Sequence, residues 1–356
     1  MHRFARFLRD CAISGAVALG VLLVTEIVLR LCAPQLSRIE PAGSRAIPDS
    51  LLGYRYRPNS EVRHMTPEFS VTFTIDERGL RKRAEPIPAD STALRILVLG
   101  DSFTFGGGNE EKDTWVRVAE RTLRETGARR GINVEMTNAG AEGFDTRSEL
   151  YMLKEWEPKV KPSIVLLAFV ANDVYTNRPA HEPPSKIPAS QRGVFSLHVV
   201  ALAKRIAMHN DRLYARLFLL SHRRAYYATA PDARVQKQID ITRDLLAEMA
   251  AYCRERGIQL LVVSIPQEYA VISEANGFKF PGVDPSVIDA QLSPHAHDEG
   301  VIWVEALPRL SAVYRDWHRD LYYRVDGHLT AEGNRVLGDL VAGMLGPRIW
   351  PLVSPR

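Results

Sequence analysis

From residue 94 onward one pattern repeats: a short apolar run rich in β-branched residues, then a stretch with helical periodicity, then another run. The runs fall at 95–99, 133–136, 163–169, 259–264 and 301–304, and helical stretches lie between or after them at 114–124, 147–156, 234–256 and 331–345. Strands spaced by helices of this length call for a parallel sheet covered by helices, which is an α/β architecture. Gly257, just after Arg254 and Arg256, is a good stop for the longest helix.

The rest of the composition narrows the function classes. With 356 residues, 46% hydrophobic and 25% charged, the chain can bury one substantial core plus appendages, and large-scale disorder is not expected. The net charge of +4 is small, and Lys and Arg are scattered among Asp and Glu rather than massed to track phosphates. Nucleic acid is therefore not an expected partner. Cys11 and Cys32 lie in or beside an apolar N-terminal segment and Cys253 stands alone, so no disulfide framework can form within the main domain.

Residues 12–31 are mostly apolar, and as a helix they would cover roughly 30 Å, one bilayer core. Arg3, Arg6 and Arg9 precede them and favour a cytoplasmic N-terminus with everything after about residue 33 on the far side. We read residues 1–32 as a cytoplasmic tail and transmembrane anchor. The apolar run outlasts a typical signal-peptide core, and Pro34 follows Cys32-Ala33 where a cleavage site would need small residues. Glu26 and Arg30 are costly in lipid, but their i, i+4 spacing allows them to pair near the outer end of the span. The expected location is a single-pass membrane protein with its main domain extracytoplasmic, in the periplasm if the source is a Gram-negative bacterium.

Residues 33–93 are rich in Pro, Ser and Arg and contain one alternating stretch, 70–75, so they read as a linker and a small β element. The main domain is expected over 94–350. Its strand–helix alternation is interrupted at about 174–234 by a Pro-rich stretch and one amphipathic helix over 197–220 bearing Lys204, Arg205, Arg212 and Arg216. A helix covering the sheet edge is the plainer reading of this insertion; a lid or a helix lying on anionic lipid is the sharper one.

The chemistry-bearing residues cluster where strands end. The run 95–99 leads straight into Gly100-Asp101-Ser102, which puts Ser102 at the carboxyl end of a strand, the edge at which ligands bind in open α/β sheets. Alone, the tripeptide equally suits a capped βα turn, and Gly106-Gly107-Gly108 lacks the spacing of a phosphate-binding loop. The next strand ends in small residues through Gly143, and the third in Asn172-Asp173. A hydroxyl, a flexible backbone amide and a side-chain amide at successive strand ends are the groups that nucleophilic attack on an ester requires. Near the C-terminus Asp326-Gly327-His328 supplies an imidazole to take the serine proton and a carboxylate to orient it. His295 and His297 have no nearby residues that complete a metal-ligand set, so they read as surface residues.

In this order the four segments resemble the signature blocks of the SGNH (GDSL-like) hydrolase superfamily. Gly100-Asp101-Ser102-Phe103 is similar to the first block, Gly143 to the glycine of the second, Asn172-Asp173 to the third and Asp326-Gly327-His328 to the fourth. The likeness spans about 94–345, and the membrane segment and Arg78-Gly79-Leu80-Arg81 ahead of it look like envelope members of the superfamily. It implies a three-layer α/β/α fold with a flavodoxin-like parallel sheet, and a catalytic set of Ser102, His328 and Asp326. It also implies an oxyanion hole from the Ser102 and Gly143 N–H groups and the Asn172 side chain. The implied activity is hydrolysis of an acyl ester, short-chain or O-acetyl, by a serine esterase needing no cofactor or metal. An O-acyltransferase acting on envelope polysaccharide and a non-catalytic carbohydrate-binding protein of the same fold are the alternatives. Two positions depart from the pattern: Val170 stands where the third block usually has glycine, and one residue rather than two separates Asp326 from His328.

Overall fold

The computed structural model describes residues 2–36, 46–86, 93–177, 197–317 and 320–353. Helix α1 (His2–Cys32) comes first, then two antiparallel hairpins, β1 (Ala46–Asp49) with β2 (Gly53–Tyr56) and β3 (Glu61–Met65) with β4 (Ser70–Thr74). There follow β5 (Leu94–Gly100), the single-turn α2 (Ser102–Phe105), α3 (Trp115–Ala128), β6 (Val134–Asn138), α4 (Thr146–Val160), β7 (Ile164–Val170) and the short α5 (Asp173–Thr176). After α6 (His198–Met208) and α7 (Asp211–Leu219) come α8 (Ala233–Glu255), β8 (Gln259–Ile265), α9 (Glu268–Asn276), α10 (Val287–Asp298), β9 (Ile302–Glu305), α11 (Leu307–Trp317) and α12 (Ala331–Val353).

Strands β5 to β9 make one five-stranded parallel sheet in the order β6-β5-β7-β8-β9. The chain steps from β5 to β6 on one side, then crosses back to β7 on the other. That reversal opens a crevice between the carboxyl ends of β5 and β7, the usual ligand site of such sheets. Successive side chains of β5 point to opposite faces, as the two-residue period of a strand dictates. Ile96 and Val98 pack with Trp115, Ala119 and Leu123 of α3 and Val336, Leu337 and Val341 of α12. Leu97 and Leu99 pack with Leu153 and Trp156 of α4 and Ile239 and Met249 of α8. Two apolar cores therefore enclose the sheet, and the fold is the expected three-layer α/β/α sandwich. Side-chain caps start its helices: Thr114 accepts the Arg117 N–H, Asp145 that of Ser148 and Asp232 that of Val235.

Two sequence expectations are corrected. The amphipathic stretch 197–220 is two helices, because Asn210 accepts the Leu213 N–H and begins α7 as a new helix. Helix α7 buries Tyr214, Ala215, Phe218 and Leu219, lies against α9, and is tied down through Asp211, which accepts from Tyr314 Oη (2.8 Å), Arg324 Nη1 (3.1 Å) and Asn276 Nδ2 (3.0 Å). The Pro-rich stretch before these helices, 178–196, lies outside the described residues, as do 37–45 and 87–92 of the region read as a linker.

The second correction concerns 46–86, where alternation marks one strand and the structure has four. The pattern is diluted because β1 contains Pro48 and β3 carries Glu61, Arg63 and His64. Yet Leu52, Tyr56, Val71, Phe73, Ile75 and Leu80 are buried in the same core as α4 and α8. The segment ends fastened to α3, with Arg83 paired to Glu120 (2.6 Å) and the Ala84 N–H bound to Glu111 (2.8 Å).

Within α1, Arg9–Cys32 is long and apolar enough to cross a membrane. Its one buried acidic group, Glu26, pairs with Arg30 (2.7 Å) and also accepts the N–H groups of His198 (3.0 Å) and Val199 (2.9 Å). These are orphan donors of the first turn of α6, so a carboxylate from α1 caps a helix of the main domain.

Candidate active site

Ser102 begins α2 at the end of β5, and Asp101 builds this turn: its carboxylate accepts the Phe103 N–H (2.8 Å) and one hydrogen from Asn172 Nδ2 (2.9 Å). One buried side chain thus joins the nucleophile turn to the end of β7 across the crevice. Burial raises the Asp101 pKa against the pull of the Asn172 and Phe103 hydrogen bonds. Asn172 Nδ2 keeps a second hydrogen for another acceptor. Val170, the departure in this block, is fully buried in the α3-side core and donates its N–H to Asp173 (3.1 Å).

The loop before α12 brings His328 to Ser102, with Nε2 at 2.7 Å from Oγ, while Nδ1 lies 2.5 Å from Asp326 Oδ1. The single intervening residue is enough because Gly327 takes φ +92°, a left-handed conformation that folds the carboxylate back under the ring. Burial alone would lower the His328 pKa, but the Asp326 carboxylate, with Asp101 and Glu142 farther off, raises it to about 9. Asp326 itself lies below its ordinary value, the opposing cost of burial being outweighed by His328 and His64. Phe103 flanks the imidazole at 5.2 Å between ring centroids, and Gly107 packs on it so closely that a Cβ would meet the ring at 3.2 Å.

Gly143 sits on the loop after β6, which is pinned to the end of β5 by the Ala141 N–H on the Gly100 carbonyl (3.1 Å). Among the described residues neither the Ser102 nor the Gly143 N–H meets an acceptor. The structure therefore brings Ser102, His328 and Asp326 into one hydrogen-bonded relay, and places Gly143 and Asn172 on the adjoining loops. His295 and His297 are exposed on α10, far along the chain from this relay. Among the described residues no cluster of His, Cys, Asp or Glu is arranged to hold a metal ion.

Behind the relay lie Asp145, Glu149 and Asp173, all buried. Burial, together with repulsion from Asp101 and Asp145, pushes Glu149 well above the carboxylate range, and burial with repulsion from Glu149 and Asp101 does the same to Asp173. Both oxygens of Glu149 and one of Asp173 lack hydrogen-bond partners, in keeping with protonated acids rather than two buried charges.

Sequence reasoning missed the residues that hold the loops of the candidate site. Arg81 is buried and donates to the carbonyls of Phe105 (2.5 Å), Gly106 (2.9 Å) and Asn109. Glu68 accepts the N–H groups of Val325 (3.1 Å) and Asp326 (2.8 Å), and Phe69 packs at a tilt against Tyr323 (5.0 Å between ring centroids), whose hydroxyl donates to the Gly108 carbonyl (3.0 Å). Tyr54 donates to the Glu142 carbonyl, and Tyr56 accepts the Glu142 N–H (3.0 Å). Within Arg78-Gly79-Leu80-Arg81 nothing in the sequence distinguishes the buried Arg81 from the more exposed Arg78, which pairs with Asp76 (2.8 Å).

Structures similar to the chain include psychrotrophic esterase EstA from Pseudoalteromonas sp. (12% identity, 72% of this chain and 97% of that one, TM-score 0.41). A lipase/acylhydrolase from Enterococcus faecalis (16% identity, 72% and 96%, TM-score 0.41) is another. So is LAE5, an alpha/beta hydrolase enzyme from the metagenome of Lake Arreo, Spain (14% identity, 71% and 97%, TM-score 0.45). No curated protein matches the chain. The model of the GDSL-like lipase/acylhydrolase family matches residues 98–336, well over half of the sequence, and spans the three strand-end segments and Asp326-Gly327-His328. The chain belongs to that family, within the SGNH hydrolase superfamily.

Proposed function

We propose that the protein is a serine esterase in which Ser102 is the nucleophile, His328 the general base and Asp326 the group that orients and charges the base. The observation that carries this reading is the continuous relay from Ser102 Oγ to His328 Nε2 (2.7 Å) and from Nδ1 to Asp326 (2.5 Å) at the crevice of the sheet. Neutral His328 takes the Ser102 proton as Oγ bonds to the acyl carbon. The Ser102 and Gly143 N–H groups and Asn172 Nδ2 receive the oxygen that becomes negative. His328 then returns the proton to the leaving alkoxide, giving an acyl-enzyme and an alcohol. Water, deprotonated by the same imidazole, releases the acid and restores Ser102.

The substrate class of this proposal is a short-chain acyl ester, O-acetyl groups included. Full-length protein in detergent, offered p-nitrophenyl esters from acetyl upward, should release nitrophenol, and Ser102→Ala and His328→Ala should abolish release while leaving the fold intact. Full activity in folded Ser102→Ala would sink the mechanism. Transfer of the acyl group to an added sugar in preference to water would instead make the protein an acyltransferase using the same relay.

The proposal also places α1 across the membrane with the enzyme on the extracytoplasmic side, supported by Arg3, Arg6 and Arg9 ahead of the apolar stretch. Glu26 supports retention of the helix, since removing α1 would strip the first turn of α6 of its two acceptor contacts. Release of the uncleaved protein from membranes by alkaline carbonate would rule this out.

A further inference from the structure

Residues 141–144 form a turn closed by the Phe144 N–H on the Ala141 carbonyl (3.2 Å), with Gly143 at φ +72° in its third position. A positive φ there defines a type II turn. Types I and II differ by a flip of the central peptide, which here joins the Glu142 carbonyl to the Gly143 N–H. The flip would turn that N–H away from its present direction. At the tip of the turn Gly143 is exposed, with open space among the described residues where a Cβ would sit.

What holds the peptide comes from the N-terminal hairpin. Tyr54 and Tyr56 are two residues apart on β2 and so share one face. The Tyr54 hydroxyl donates to the Glu142 carbonyl, an atom of the central peptide itself, and the Tyr56 hydroxyl accepts the Glu142 N–H (3.0 Å) from the peptide before it. Their rings are fixed against the turn and nucleophile helix: Tyr54 on Phe144 (5.6 Å) and Tyr56 on Phe105 (4.9 Å). We infer that Tyr54, with Tyr56, is a positioning residue for ester hydrolysis, its hydroxyl selecting the type II turn that presents the Gly143 N–H to the oxyanion. The inference rests on the serine-esterase reading above. A hydrogen bond to a peptide carbonyl also polarises that peptide and strengthens its N–H as a donor, so hold and polarity act together.

The test is Tyr54→Phe in the full-length protein, which removes one oxygen and keeps the ring packing. Deleting an entire oxyanion donor costs about 10²–10³ in kcat; releasing the donor without deleting it should cost less, roughly tenfold, with KM within about twofold of wild type. The rate of Ser102 labelling by a fluorophosphonate should fall in the same proportion, since phosphonylation develops charge on the same donors. Gly143→Ala disfavours the left-handed conformation directly, so the double variant should lose no more than Gly143→Ala alone. A merely structural tyrosine would lower the melting temperature and leave kcat of the folded fraction unchanged. That result, or losses that multiply in the double variant, would overturn the inference while the esterase stands. A wild-type protein that neither hydrolyses an ester nor takes the label would overturn the esterase reading and this one with it.

Discussion

On the serine-esterase reading, the catalytic loops at the sheet edge and the arm of residues 46–86 meet at the same site but are built in opposite ways. The loops carry the reacting groups on short local motifs whose shape comes from their own residues: Asp101 capping α2, or Gly327 folding Asp326 back to His328. The arm carries none of the reacting groups and lies wholly outside the family match at 98–336. It nevertheless reaches three of these loops, through Tyr54 and Tyr56 at the Gly143 turn, Arg81 at the loop after Ser102, and Glu68 at the Asp326 turn. Loops on a sheet edge gain few packing contacts of their own, so the precision of the site depends on what braces it. The contrast makes a quantitative claim: changes within the loops should abolish chemistry, whereas changes in the arm should weaken it by small factors.

Asp326→Asn gives the largest effect. The amide keeps the size of the side chain but cannot stabilise the imidazolium or fix the required tautomer, so kcat should fall by about 10²–10⁴. The pH profile separates this from misfolding. The base works only when neutral, and the carboxylate raises the His328 pKa to about 9, so wild-type kcat/KM should climb with pH and level off only above about 9. Removing the negative charge lowers the imidazole pKa, and the rising limb of the variant should move to lower pH even as its plateau drops. An unmoved limb would show that Asp326 does not set the charge of the base.

The loops were readable in the sequence because Ser102, Gly143 and Asn172 each follow a strand within a few residues, and Asp326 and His328 form one local motif just ahead of the last helix. The apolar runs at 95–99, 133–136 and 163–169 placed those strand ends. The arm was not readable in this way. Tyr54, Glu68 and Arg81 act across separations of 88, 258 and 24–28 residues, and each is of a type common on any surface. Strands as short as β1 and β3, interrupted by Pro48 or carrying charges, leave too weak a period to announce a hairpin. The break at Asn210 was hidden for a different reason: α6 and α7 both keep an amphipathic pattern, and only the cap contact on Leu213 separates them.

Arg81→Met should have the next largest effect, and mainly on stability. The guanidinium is buried, lies over the rings of Phe73 (4.8 Å) and Phe105 (5.0 Å), and burial lowers its pKa to about 10 against opposing carboxylates, leaving it charged near neutrality. Methionine restores the apolar contacts but leaves the carbonyls of Phe105 and Asn109 without this donor, while that of Gly106 keeps the Asn109 N–H (3.1 Å). At about 1–3 kcal/mol for each buried polar group left unsatisfied, partly relieved by relaxation, a net loss of about 2–4 kcal/mol is expected. Thermal unfolding should report it. Loosening the loop that seats Gly107 against His328 should reduce kcat of the folded protein by roughly tenfold, well short of the loss in Asp326→Asn. An equal loss would erase the distinction between brace and machinery.

Glu68→Gln should be the mildest change. Its carboxylate accepts two backbone N–H groups at the Asp326 turn, but it is only partly buried, so solvent screens much of the benefit of its charge. Glutamine retains one oxygen acceptor. The hairpin also stays docked through Phe69 on Tyr323 and through the Tyr323 hydroxyl on Gly108. A fall in kcat of about threefold is expected, with KM and melting temperature nearly unchanged, since the variant costs at most about one hydrogen bond. A loss approaching that of Asp326→Asn would mean that Glu68 sets the position of the carboxylate and belongs with the catalytic loops. No change at any pH would mean that the Gly327 turn alone positions Asp326, leaving the Tyr54 and Arg81 contacts to distinguish an active brace from a passive cover.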